Sequence, residues 1–352
     1  MAAPPQATRL DVPDDVEAIN DLFYERGWSD GLPIVPPTEE RVARMLATTR
    51  LPPPTVLGVM PPREGTVTVE KVAVNAVMAG CKPEHFPVVL AAVRASLQEQ
   101  FNVGGVSVTT GGAAPVVIVS GPVAERVGIN SGTACFGAGF RANAAIGRAL
   151  RLVMRNLGGA VPGEFEKSTQ AQPGKFTFCF AENEARSPWE PLRVTLGYRP
   201  EESTVTLVGI RGLYTLSEQT ASSGVEVLRT IALGMATVGV ISFYTQARRP
   251  TVVVALGPEH AQEVAAAGFA KEDVRRFLFE HARLPKGTLR DRCYWGNRTW
   301  PAWLEAADDA TPVPPTFCPE DILVVVAGGD GRHSSWLQPW STTQVATEVV
   351  EE

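Results

Sequence analysis

Long apolar runs are missing from this sequence. No window approaches the uninterrupted apolar length that a membrane-spanning helix needs. The first residues, MAAPPQATRLDVPDD, also lack the apolar core of a signal peptide and turn acidic at residue 11. We therefore expect a cytoplasmic protein that does not engage a membrane.

Basic clusters are missing as well. The formal net charge is −6, and no run of Lys and Arg, alone or interleaved with aromatic residues, marks a nucleic-acid footprint. General electrostatic attraction to nucleic acids or acidic membranes is therefore not expected. A small polar or anionic molecule is the expected ligand.

Cysteine is scarce, and its pattern excludes several classes of protein. The number of cysteines is odd, their spacing is wide, and no Cys-X-X-Cys motif occurs, so the chain has neither a secreted disulfide framework nor the usual zinc or thioredoxin motif. In a reducing cytoplasm such residues are free thiols, catalytic thiols or metal ligands. The cysteines are Cys81, Cys135, Cys179, Cys293 and Cys318.

The length of 352 residues predicts two lobes preceded by an arm. Residues 1–65 are rich in proline and form the N-terminal arm, residues 66–195 form a first α/β lobe, and residues 196–352 form a second. Trp28, Leu32 and Ile34 stand among the prolines of the arm, which predicts that it is ordered and covers a surface. That surface belongs either to this chain or to a partner subunit, and we expect an oligomer.

Three apolar strands define the fold class as α/β. The segments PVVIVSGP at 115–122, TVVVALGP at 251–258 and DILVVVAGG at 321–329 are short, β-branched and followed by glycine. Such continuous apolar strands are typical of a sheet that is covered on both faces. The first two share a Gly-Pro and a helical sequel, which suggests a duplicated α/β unit. A ligand is then expected between the lobes, beyond the strand ends.

A glycine-rich loop at 128–140 is the clearest candidate for ligand binding. It leads into an amphipathic helix that is predicted to begin near Arg141, and the N-terminus of a helix favours an anion or a thiolate. We expect Asn130, Ser131, Arg141 and Asn143 to hold a small anionic group.

Two cysteines are predicted to lie at helix N-termini. Cys81 precedes the helix that Pro83 opens, and Cys135 precedes the helix near Arg141. A helix terminus and a neighbouring cation lower a thiol pKa, so either cysteine is a candidate nucleophile or redox thiol. The alternative is that both are small, buried and inert.

Other candidates stand at the predicted strand ends. Glu182 follows the strand-like segment around Cys179, where burial would suit it to acid–base chemistry, and His333 follows the third apolar strand as a candidate proton carrier. Lys175 and Ser334 are further candidates for binding the substrate.

A metal site is an open alternative. Cys81, Cys135 and Cys179 could ligate an iron–sulfur cluster with one open iron, as in dehydratases, although their spacing matches no local cluster signature. No other residue pattern identifies a cofactor.

Four long motifs resemble a poorly characterised bacterial family with a GWxDGLPxVPPT leader. They are GWSDGLPIVPPTEERV at 27–42, VEKVAVNAVMAGCKPEHFPVVLAA at 69–92, RANAAIGRALRLVMRNLGG at 141–159 and PGKFTFCFAENEARSPWEPL at 173–192. Members are linked or fused to a module with a Cys/Sec-Gly-Ser-Cys signature. This chain lacks the signature, so the resemblance implies a thiol or selenol partner protein rather than that module's own activity.

These observations lead to three hypotheses. The first is a cysteine-dependent enzyme, or enzyme subunit, that acts on a small anionic organic molecule in an inter-lobe cleft. The second is a metal-dependent lyase or hydratase. The third is a non-catalytic subunit of a thiol or selenol enzyme.

Overall fold

The computed structural model describes residues 7–240, 249–290, 292 and 300–351. Helices and a mixed seven-stranded sheet make up these residues, so the α/β prediction is confirmed. No helix in the described ranges is long and apolar enough to cross a membrane. The sheet contains β3 (Ala114–Ser120), β4 (Cys179–Ala181), β5 (Thr204–Ser217), β6 (Val252–Leu256), β9 (Ile322–Val326), β10 (His333–Pro339) and β11 (Ala346–Val349).

The remaining elements surround this sheet. Two small antiparallel two-stranded sheets pair β1 (Val56–Met60) with β2 (Gly65–Thr68), and β7 (Leu284–Pro285) with β8 (Pro312–Val313). The helices are α1 (Val16–Glu25), α2 (Glu39–Leu46), α3 (Val69–Met78), α4 (Phe86–Leu97), α5 (Val103–Val108), α6 (Val123–Arg126), α7 (Arg141–Asn156), α8 (Leu192–Thr195), α9 (Gly224–Met235), α10 (Pro258–Ala266), α11 (Lys271–His281), α12 (Lys286–Leu289) and α13 (Ala302–Ala306).

The strand order reads the same from either edge of the sheet. The order is β4-β3-β5-β10-β6-β9, with β11 added to β5. β3 pairs in parallel with β4 and antiparallel with β5, and β6 pairs in parallel with β9 and antiparallel with β10. In this pattern β3, β4 and β5 of the first half correspond to β6, β9 and β10 of the second half. This repeated topology agrees with the predicted duplicated unit. Because β5 and β10 pair directly, one sheet runs through both predicted lobes, and the division into lobes stays a prediction.

The sheet is curled, so that its two edges meet. The backbone N–H of Asn183, just beyond β4, donates to the carbonyl of Val326 at the end of β9 at 2.7 Å. Side chains from six strands fill the concave face as one apolar cluster, while alternate side chains pack against helices outside. The expectation of strands covered on both faces is therefore confirmed. The concave cluster includes Val116, Ile118, Phe180, Val208, Ile210, Val253, Ala255, Leu323, Val325 and Leu337.

The N-terminal arm is ordered and docks on α7. The Arg148 guanidinium binds the Asp30 carboxylate through two nitrogens, at 2.8 and 2.7 Å, and also reaches the carbonyl oxygens of Leu32 and Pro33. About two turns further on, the Asn156 side chain donates to the Trp28 carbonyl at 3.0 Å. The surface that this segment covers belongs to its own chain.

Candidate functional site

The candidate site lies where the two edges of the sheet meet. The glycine-rich loop crosses this junction: the Ser131 carbonyl accepts the Gly328 N–H at 2.8 Å, and the Asn130 carbonyl accepts the Ala181 N–H at 3.3 Å. The Asn183 side chain donates to the Gly328 carbonyl at 3.0 Å. Segments that follow β3, β4 and β9 therefore form one surface, as expected for ligand sites beyond strand ends.

Asn143 fixes the shape of the loop. Its side-chain oxygen accepts the Asn130 N–H at 2.8 Å, and its side-chain nitrogen donates to the carbonyls of Asn130 and Cys135 at 2.9 and 3.2 Å. The Asn130 side chain likewise binds the backbone of Gly132 and Thr133. The Asn130 and Asn143 side chains were predicted to contact a ligand, but in the structure they form their hydrogen bonds within the loop. They position it.

Cys135 is buried at this junction, on the concave side of the sheet. Burial raises its pKa to about 11, and the neighbouring backbone N–H groups of Cys135 itself, Phe136 and Gly328 act against that rise. The direction is opposite to the predicted lowering, because the cost of desolvating a thiolate here exceeds the gain from the donors. Apolar rings lie close by, since Phe136 packs edge-on against Phe178 and Phe180.

Cys81 and Cys179 lie on the other side of the sheet from Cys135. Both belong to the apolar cluster under the first set of helices. Burial raises the pKa of Cys81 to about 12, against the opposing charges of Arg141 and Arg148, and it also raises the pKa of Cys179. Cys81 precedes a 3₁₀ turn rather than the first turn of α4, so it gains little from a helix terminus. The structure does not bring Cys81 and Cys135 into one cleft.

Arg141 connects the loop to the Cys81 region. It is the first residue of α7, as predicted, and its side chain is exposed. Its Nε donates to the Gly80 carbonyl at 2.9 Å. No side chain caps the N-terminus of α7, so the helix presents its free N–H groups beside this guanidinium.

Glu182 belongs to a buried charged network at the end of β4. Its Oε2 accepts the Ser120 hydroxyl and the Leu192 N–H at 2.9 and 2.7 Å, and its Oε1 lies 3.7 Å from Lys271 Nζ. Burial raises the pKa of Glu182, while the charge of Lys271 opposes the rise. The carboxylate binds the first N–H of α8 and so connects the end of β4 to that helix.

His333 and Ser334 begin β10 and face different environments. His333 is exposed, whereas Ser334 is buried. The Ser334 hydroxyl contacts His260 Nδ1 at 2.8 Å and accepts the Gly257 N–H at 3.2 Å. His260 lies in α10 and is only 1% exposed. Ser334 is therefore a core hydrogen-bonding group.

Lys175 does not lie beside the glycine-rich loop. It lies near the start of β3, beside Ser168, which binds the Gly111 carbonyl. Its Nζ pairs with the Glu166 carboxylate and contacts the Ser168 hydroxyl at 2.8 Å. Burial lowers the pKa of Lys175, while the Glu166 carboxylate opposes that change. The lysine does not join Cys135, and its charge is already neutralised.

The three cysteines proposed as cluster ligands are not gathered. Cys135 is on the concave side and the other two are on the convex side. Among the residues that the structure describes, no group of three or more His, Cys, Asp and Glu side chains is placed to hold a metal ion. Cys293 lies outside the described residues.

Gly328, Phe136 and Lys271 are parts of the site region that sequence reasoning missed. The sequence indicated that Gly328 and Gly329 follow a strand, but no local pattern indicated that Gly328 would lie near Cys135. With a Cβ, Gly329 would contact Thr133 Oγ1 at 2.1 Å, so this glycine allows the loop to close against the β9 end. No protein family model matches the chain, and no curated protein matches it either.

Proposed function

We propose that this chain is a cysteine-dependent enzyme, or the subunit of one, that acts on a small anionic organic molecule at the 130–141 loop. The observation that carries the proposal is the position of Cys135, which is buried at the junction of the sheet edges in a loop that the Asn143 side chain holds in shape. The backbone of Cys135, Phe136 and Gly328 acts to lower the pKa of this thiol, and neighbouring backbone N–H groups stabilise a thiolate or negative charge that develops on a bound substrate. Cys81 and Cys179 are buried without this arrangement and are assigned no chemical role.

The anionic part of the substrate is assigned to the start of α7. The exposed stretch from Gly137 to Phe140 leads directly to the free N–H groups of that helix, and Arg141 stands beside them. Dipole and guanidinium both favour a negative group there. The anion would bring its reactive end toward the Cys135 side of the loop.

Cys135 is expected to react with iodoacetamide before Cys81 and Cys179 do. The pKa of Cys135 is raised to about 11 and that of Cys81 to about 12, so Cys135 carries more thiolate at every pH below these values. Mass-spectrometric mapping of each cysteine between neutral and alkaline pH measures the order. Cys81 and Cys179 are internal controls, and their faster labelling would remove the proposed role of Cys135.

Arg141→Ala is expected to weaken binding of an anion near Cys135 by about 1.5–3 kcal/mol, the value of a hydrogen bond to a charged group. Sulfate is a suitable probe, since occupancy at the helix start should slow the alkylation of Cys135. The variant should need roughly tenfold more sulfate, or more, for equal protection.

The control for this measurement is Arg44→Ala on α2, an arginine whose side chain is 59% exposed and lies in the arm. Neither variant should shift the melting temperature much, because exposed side chains contribute little to stability. Equal protection in wild type and Arg141→Ala would contradict the assignment of the anion to the start of α7.

A further inference from the structure

A cavity of about 670 Å³ lies at the end of the sheet opposite the Cys135 loop. Three segments that are distant in sequence form its walls: residues 99–102 after α4, residues 341–344 between β10 and β11, and Arg249 before β6. Because β6 and β9 pair in parallel, Arg249 lies at the opposite end of these two strands from Gly328. The cavity is therefore separate from the site proposed above.

Hydrogen bonds fix the two main walls of this cavity relative to each other. The Gln344 N–H donates to the Gln100 carbonyl at 2.9 Å, and the Asn102 side chain donates to the Thr342 hydroxyl oxygen at 3.0 Å. Both bonds join the segment after α4 to the turn between β10 and β11. The shape of the cavity thus follows from the fold.

The lining of the cavity is polar throughout. Each residue that lines it carries a polar side chain, whereas small-molecule sites are usually lined mainly by apolar groups. The lining holds one carboxylate, Glu99, and one guanidinium, Arg249, which pairs with the Asp321 carboxylate at 2.9 Å. Since charges of both signs are present, the lining favours neither a simple anion nor a simple cation.

Three of the lining side chains retain their full capacity for hydrogen bonding. Ser341 is only 4% exposed, yet its hydroxyl forms no hydrogen bond with the residues that the structure describes. The Glu99 carboxylate and the Gln344 side-chain amide likewise have no partner among the described residues. Together they offer a charged acceptor, a hydroxyl, and an amide that both donates and accepts.

We propose that this cavity binds a neutral polyhydroxylated molecule, a sugar or a sugar-like polyol. Each hydroxyl group of such a molecule donates and accepts, so it can donate to Glu99 while another accepts from Gln344 or Ser341. The volume lies within the range of about 300–1,000 Å³ that is typical of small-molecule sites. The proposal does not depend on the function proposed above.

Saturation-transfer difference NMR of the full-length protein, with glucose and sucrose as probes, tests this site. We expect at least one of these sugars to give a saturable signal. Glu99→Ala should weaken that binding about tenfold or more, because a hydrogen bond to a charged group is lost. The matched control is Glu25→Ala at the end of α1, since Glu25 is also exposed and does not line the cavity.

Ser341→Ala provides a second variant inside the cavity. Its hydroxyl bonds to no described residue, so the substitution should leave the melting temperature nearly unchanged. Sugar binding should fall several-fold, the effect of losing one neutral hydrogen bond.

The possible outcomes distinguish the site from its ligand. Sugar binding that Glu99→Ala and Ser341→Ala weaken and Glu25→Ala preserves supports the proposal. Sugar binding that neither cavity variant changes overturns the location. Saturable binding of acetate or glycine in place of both sugars overturns the ligand class, and no saturable signal from any of the four overturns the site itself. None of these outcomes depends on alkylation of Cys135.

Discussion

Glu182→Ala is expected to destabilise the protein by about 3–5 kcal/mol, the cost of leaving one partner of a buried ion pair uncompensated. The side chains of Glu182 and Lys271 are 0% and 5% exposed, so water cannot solvate the ammonium that remains. The substitution also takes the acceptor away from the Leu192 N–H and the Ser120 hydroxyl. Urea unfolding measures the loss.

The double variant Glu182→Met, Lys271→Met distinguishes pairing from simple loss of packing. Replacing both charges with apolar groups of similar size removes the unpaired ion, so most of the lost stability should return. Glu201→Ala is the exposed control, since the Arg199–Glu201 pair is 71% and 66% exposed and contributes little. The pairing argument would be refuted if the loss of unfolding free energy in the double variant equalled the sum of the losses in Glu182→Met and Lys271→Met.

Asp30→Ala is expected to release the N-terminal arm from α7 at a cost of about 3 kcal/mol, the lower end of the range for a broken buried pair. Arg148 and Asp30 are 13% and 14% exposed, so the arginine would lose its carboxylate in a largely dry setting. Limited trypsin digestion should then cut at Arg26 and Arg41 much faster than in the wild type. Glu40→Ala, which breaks an exposed pair with Arg44 and removes no trypsin site, is the control and should leave digestion unchanged.

The same pair predicts a pH dependence. Burial acts to raise the pKa of Asp30, but hydrogen bonding and charge from Arg148 outweigh it, so the pKa lies below its usual 3.8. A carboxyl whose pKa is lowered on folding stabilises the fold above 3.8, and the contribution disappears as the pH falls from 3.8 through the folded value. Wild type and Asp30→Ala should therefore converge in stability at acid pH. A constant difference down to pH 2 would contradict this.

The sequence predicted elements whose signal is local. β3, β6 and β9 are short β-branched runs, and the start of α7 at Arg141 follows from glycine spacing and a helical apolar pattern. β5 and β10 carry mixed polar and apolar residues, so no short-range pattern marked them as the central pair. Their position depends on pairing between distant segments, which one sequence does not specify.

The properties of the thiols were harder to predict for a related reason. A helix terminus is visible in sequence and lowers a thiol pKa, but burial depends on distant packing and raises it. For Cys135 burial dominates, since the curled sheet encloses the sulfur. The sequence also did not indicate on which face of the sheet each cysteine lies. Cys81 and Cys135 are separated by a sheet that depends on pairing between distant segments.

The meeting of the sheet edges has a consequence for how the chain folds. Cys135 belongs to the first half, yet the loop that carries it is held at Ser131 by the N–H of Gly328, which follows β9 late in the sequence. During synthesis the first half emerges long before that residue, so Cys135 would be incompletely enclosed until the second half arrives. Contacts between such distant positions form slowly because a large loop must close first. The protection of this thiol from an alkylating reagent would therefore mark the last stage of folding.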